Sequence, residues 1–146
     1  MSANNIIMKK VWQDGDIIEM AIECSSNTIA AKTQVYMQVS QLNKLYEGLT
    51  LFLTDGIEGF SWISGEFGDD TTACTQFSFL YKDSQGHIVI EVTMELDDGG
   101  PLSKHTCCFF VYTELGALTS FRNQLALLIS DSSSAFPVFL FEPSTN

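Results

Sequence analysis

Basic residues are scarce in this chain. Seven lysines and arginines face eighteen aspartates and glutamates across 146 residues, a formal charge of -11. That shortage argues against a surface that grips nucleic acid or an anionic membrane, since both require a basic patch. Charged residues are only 17% and hydrophobic ones 45%, so the chain is no disordered polyelectrolyte. No apolar run approaches the ~20 residues of a membrane span. The start, "MSANNIIMKKVW", lacks the basic region and apolar run of a secretory signal, so the cytoplasm is the expected compartment. There is no G-x-S-x-G elbow, G-x-G-x-x-G turn, P-loop or H-E-x-x-H helix. No catalytic residue, cofactor or metal ligand is therefore expected. Cys24, Cys74, Cys107 and Cys108 lie in strand-like segments of a long chain without a signal. They read as reduced, buried thiols rather than a disulfide framework.

What remains is alternation. "IIMKKVWQ" and "DIIEMAIEC" flank Asp14-Gly15 and read as a hairpin, and "TIAAKTQVYMQV" alternates again. Ser40 reads as the N-cap of a helix whose stripe is Leu42, Leu45, Leu49, Phe52 and Leu53, with Gly48 an unfavourable interruption. "GFSWISGEF", "CTQFSFLYKD", "HIVIEVTMEL" and "SKHTCCFFVYT" are further strands, the middle two joined by the turn "DSQG". Thr113 reads as the cap of a second helix with Leu115, Leu118, Phe121, Leu125, Leu128 and Ile129 on one side. The tail "FPVFLFEPSTN" reads as a short edge strand or cover. No internal repeat is evident. The expectation is one α+β domain over 1–146, with its core over 6–130 and a tail at 131–146. Its architecture is a mostly antiparallel twisted sheet of about six or seven strands with two amphipathic helices on one face.

The acids carry the main functional question. Glu91 and Glu95 are four apart on one strand, about 13 Å, which is too far for an acid–base dyad. Glu19 and Glu23 share that spacing. These four, with Asp97 and Asp98 in "DDGGP" and an exposed Trp12, form the candidate partner-binding set. General burial habit, however, places Trp12 inside. "DDGGP" lacks the alternating acids of a calcium loop and reads as a turn. His105, Cys107 and Cys108 invite a zinc site but lack knuckle spacing, and a Cys/His nucleophile pair would lie in an apolar strand.

The hairpin "SFLYKDSQGHIVIEVTMEL", with its Gly86-His87-Ile88 junction, and the later helix "TELGALTSFRNQLALL" resemble small acidic bacterial immunity proteins. Such proteins belong to polymorphic-toxin or contact-dependent growth inhibition systems. The resemblance spans Val11 to Ile129. It implies a non-enzymatic cytoplasmic inhibitor that binds a cognate basic toxin domain, possibly a nuclease, through an acidic surface. It leaves monomer against homodimer open and supplies no binding residues. A secretion chaperone, or a small domain with a Cys/His metal site, is the alternative.

Overall fold

The computed structural model describes residues 4–68, 72–97, 104–130 and 137–141. β1 (Asn5–Asp14) and β2 (Ile17–Ser25) form a hairpin around Gly15, whose φ of 58° suits glycine. β3 (Ala30–Gln38) returns along β2 and runs straight into α1 (Val39–Thr54). The cap is Gln38 rather than Ser40, and its N–H donates to Gln41 Oε1 at 2.9 Å. β4 (Gly59–Ile63), β5 (Thr75–Tyr81), β6 (His87–Asp97) and β7 (Lys104–Glu114) follow as antiparallel neighbours. Thr113 stays buried in β7, and α2 (Leu115–Ser130) starts after Glu114. β8 (Val138–Phe141) pairs with β1 at the sheet edge, so that part of the tail is a strand. Among the described residues no helix is long and apolar enough to cross a membrane.

The α+β class holds, but the single sheet does not. The described strands form two four-stranded antiparallel sheets, ordered β3-β2-β1-β8 and β4-β5-β6-β7. Short connections along the chain favour pairing between successive strands within each meander. A helical connection carries no such local constraint. α1 delivers β4 to the outer side of β5, so the chain begins a second sheet instead of extending the first.

The same topology exposes a duplication that the sequence reading missed. α1 and α2 are both 16 residues long and begin at positions 39 and 115. Each follows a three-stranded meander, and each hands its next strand to the first strand of the other meander: β4 to β5, and β8 to β1. In that alignment "VYMQVSQLNKLYEGLTLFLTD" lies over "VYTELGALTSFRNQLALLISD", matching Val35 with Val111, Tyr36 with Tyr112, Leu42 with Leu118 and Leu49 with Leu125. The chain is two βββαβ units that exchange their last strands. The matches are few, and the repeat is longer than the 20–50-residue periods of stacked arrays, so it is easily overlooked.

One core closes between the sheets and helices. Ile6, Met8, Ile18, Met20, Ile22 and Val35 come from the first sheet; Phe77, Phe79, Ile88, Ile90, Val92 and Val111 come from the second. Leu45, Leu49, Phe52, Phe121, Leu125 and Leu128 come from the helices. Gly48 is a packing requirement, not a flaw: a Cβ there would lie 2.0 Å from Phe60 Cζ. The Phe60 ring stacks in turn on Phe79, 5.7 Å between centroids. At the equivalent position in α2, Gln124 clamps β8, donating to Phe139 O at 3.1 Å and accepting from Phe139 N at 3.0 Å.

Candidate interaction surface

Of the seven sequence candidates, the six among the described residues fall on two different sheets. Trp12, Glu19 and Glu23 are on the outer face of the first, whereas Glu91 and Glu95 are on the outer side of the second. Asp97 ends β6 and its side chain lies outside the described set, as does the whole of Asp98.

On the first sheet the alternation of β1 puts Met8 and Lys10 inside, and strict continuation would bury Trp12. A bulge between Lys10 and Trp12 intervenes, adding Val11 without a partner on β2. The extra residue turns the following side chain outward. Val11 is 49% exposed and Trp12 47%, so the expectation of a buried Trp12 fails. Lys10 stays under the sheet, 4% exposed, donating to Gln13 Oε1 at 2.8 Å.

Strand register then completes a row. Trp12 pairs with Glu19, and Glu19 with Tyr36, which is 49% exposed. Ile17, also exposed, lies two residues along β2 beside Asp14. Tyr36 is held from the edge as well: its N–H donates to Thr72 Oγ1 at 2.9 Å. A carboxylate between two exposed aromatic side chains suits an arginine or lysine of a partner, combining charge pairing with ring-face attraction. Asp14 and Asp16, both exposed at the adjoining turn, extend the negative field.

The other half of this face is a shallow groove of about 430 Å³. Ala21 leaves its floor low, with Ile7, Lys9, Glu23, Lys32 and Gln34 around it. Glu23 is opposite Lys32 on β3. This half carries both signs of charge, so the complementary surface is cationic opposite Glu19 and mixed beyond it. Sequence reasoning missed Tyr36, which stands beside Glu19. The signal was the register fixed by the β2–β3 connection.

The second-sheet acids behave differently. Glu95 is 5% exposed, so it does not form part of a solvated face. The chain after β4 crosses over it, and its Oε2 accepts from the Gly68 N–H at 3.0 Å while Oε1 has no hydrogen-bond partner. Glu91 is half-buried, and its Oε2 lies 3.8 Å from Cys108 Sγ. Glu95 is not the exposed acid that its place on a polar face led us to expect, and Glu91 is only partly so.

No family, curated protein or solved structure matches the chain.

The chemistry-bearing side chains are likewise dispersed. None of the four cysteines is in a disulfide; Cys24 and Cys74 are buried, Cys107 is half-buried and Cys108 is exposed, which corrects its expected burial. Burial, then the neighbouring Cys107 and Glu23, pushes the Cys24 thiol far up. Burial also raises Cys107, followed by Cys108 beside it. Both shifts disfavour the thiolate a nucleophile needs. His87 is held at the hairpin turn, Nδ1 2.7 Å from Asp83 Oδ2, six residues along β6 from the partner of Cys108. Among the described residues no cluster of three or more His, Cys, Asp or Glu could hold a metal.

Proposed function

We propose that this chain is a non-enzymatic protein-binding inhibitor, of the kind represented by the immunity proteins it resembles. Its partner is a basic toxin domain that docks on the outer face of the first sheet. The carrying observation is the row in which exposed Trp12 and Tyr36 flank the half-buried Glu19, with Trp12 turned outward by the β1 bulge. A protein core has no use for an indole turned into solvent, whereas interface centres are enriched in tryptophan and tyrosine. Glu19 receives a cationic side chain, Trp12 and Tyr36 cover its aliphatic stem, and the net charge of -11 steers the approach. Inhibition follows from occupying basic groups that the toxin uses for its own substrate.

The test is co-expression with a toxin-domain gene adjacent to this one, read by co-purification and growth rescue. Trp12→Ala and Glu19→Lys each weaken binding by about 30-fold or more, the scale of an interface hot spot. Both variants retain the wild-type unfolding midpoint. Full affinity and rescue in both would remove this face from the interaction.

A further inference from the structure

Each sheet ends in two edge strands, β3 and β8 in the first and β4 and β7 in the second. In an antiparallel ladder, alternate residues bond to the neighbour and the rest turn their N–H and C=O groups outward. The Ser64 N–H donates to Thr75 O at 2.9 Å, continuing the β4–β5 register. Trp62 and Phe60 therefore bond to β5, and Gly59, Ser61 and Ile63 face away from the sheet. On the other three edges, outward groups meet side chains from elsewhere in the chain. The Tyr36 N–H on β3 donates to Thr72 Oγ1 at 2.9 Å, and the Tyr112 N–H on β7 to Asn4 Oδ1 at 3.0 Å. Phe139 on β8 bonds Gln124 through both its N–H and its C=O. On β4, no group among the described residues bonds the outward N–H and C=O of Gly59, Ser61 and Ile63. The duplication gives the reason. Gln124 reaches β8 from α2, whereas its counterpart on α1 is Gly48, which has no side chain to reach β4.

A groove of about 440 Å³ lies beside this open edge, with Ser61 and Ile63 on the β4 side and Lys44, Glu47 and Leu51 on the α1 side. Leu51 is 49% exposed and Ile63 40%. The groove is preformed. Trp62 Nε1 donates to Gln41 O at 2.7 Å, and the Phe60 ring occupies the space that Gly48 leaves, so strand and helix are fixed against each other.

We infer that the β4 edge takes up an extended segment of another protein as an added strand, beyond and independent of the partner binding proposed above. The backbone selects the form of the occupant. Outward groups recur every second residue, about 6.8 Å apart, and an extended chain supplies a matching row of donors and acceptors. Charge selects its sequence. Glu47 lines the groove, and Glu58 and Glu66 lie just before and after β4, all exposed, against Lys44 alone. The added strand therefore alternates, with apolar side chains over Leu51 and lysine or arginine beside Glu47. A second copy fits poorly, because pairing β4 with itself brings two such sets of acids together in molecules of charge -11. The short edge suits a weak, peptide-scale interaction rather than an obligate one.

Calorimetric titration with a capped synthetic peptide of alternating valine and lysine tests the site. The peptide binds, and replacing its lysines by glutamate abolishes binding. Two isomers, N-methylated on the valines only or on the lysines only, differ in which edge of the peptide can still bond. One loses affinity by about tenfold or more and the other stays close to the parent. Equal affinities of the two isomers, or no binding by the parent peptide, overturn the inference. Ser61→Pro removes an outward N–H without breaking the β4–β5 ladder, at a position where an edge strand tolerates proline. It lowers the parent peptide's affinity by about tenfold, whereas Trp12→Ala leaves it unchanged. Unchanged affinity in Ser61→Pro overturns the assignment to β4. Should Ser61→Pro fail to fold, the isomer comparison on wild-type protein decides alone. A wild-type dimer in sedimentation that Ser61→Pro abolishes would give the edge to a second copy and overturn the peptide assignment.

Discussion

Gly48 lies on the buried side of α1 with the Phe60 ring against it, and two opposing effects meet there. Alanine would improve helix propensity by about 1 kcal/mol. Its Cβ would also fall 2.0 Å from Phe60 Cζ, and that ring is held by Phe79. Overpacking of this kind costs about 1–3 kcal/mol. Gly48→Ala is therefore expected to destabilise by about 1 kcal/mol net, measured by urea unfolding. A stabilised variant would mean that the Phe60 ring moves aside freely. Glu95 teaches a related lesson. Its alternation reads as outward and wet, but one backbone donor from Gly68 brings a covering segment over it.

Within the β5–β6 hairpin, the turn carries its own titration. Asp83 Oδ1 accepts from Gln85 N at 2.8 Å and from His87 N at 3.3 Å, while Oδ2 faces His87 Nδ1 at 2.7 Å. The Gln85 N–H first, then the His87 side chain, hold the Asp83 carboxyl below its usual 3.8. A carboxyl depressed on folding contributes stability that is present above its unfolded value and lost as pH falls through the folded one. Amide protection in this turn should accordingly fall as pH drops below about 4. Asp83→Asn, whose amide oxygen still accepts from both N–H groups, should flatten that fall. Identical acid profiles for the two proteins would remove Asp83 as its source. Gly86 belongs to the same device, with φ 89° at the turn and its carbonyl accepting the Leu115 N–H at the start of α2.

At the scale of the whole molecule, the formal charge is -11. That makes ionic strength a discriminating variable. The Debye length is about 30 Å at 0.01 M salt and about 10 Å at 0.1 M. Across that range, association with a basic partner should slow, because salt screens the attraction to Glu19, Asp14 and Asp16. Stopped-flow association at the two salt concentrations checks this. An association rate that does not change with salt would remove the acidic row from the encounter.

Periodicity in the chain was enough to determine the two helices, the hairpins at Gly15 and 83–86, the apolar stripe of each element and the acidic balance. Those features depend on neighbours a few residues apart, where side-chain direction and turn chemistry act locally. Glu19 was legible as a candidate for the same reason; Trp12 was named for its residue type, against the burial that alternation implied. The division into two sheets, the exchange of β4 and β8, and the burial of Glu95 were decided only in three dimensions, because each depends on where a connection travels after it leaves its own hairpin. The exposure of Trp12 depends on a single unpaired residue, Val11, that shifts the register of β1 against β2. Alternation alone cannot report such a shift; only the pairing of the two strands can.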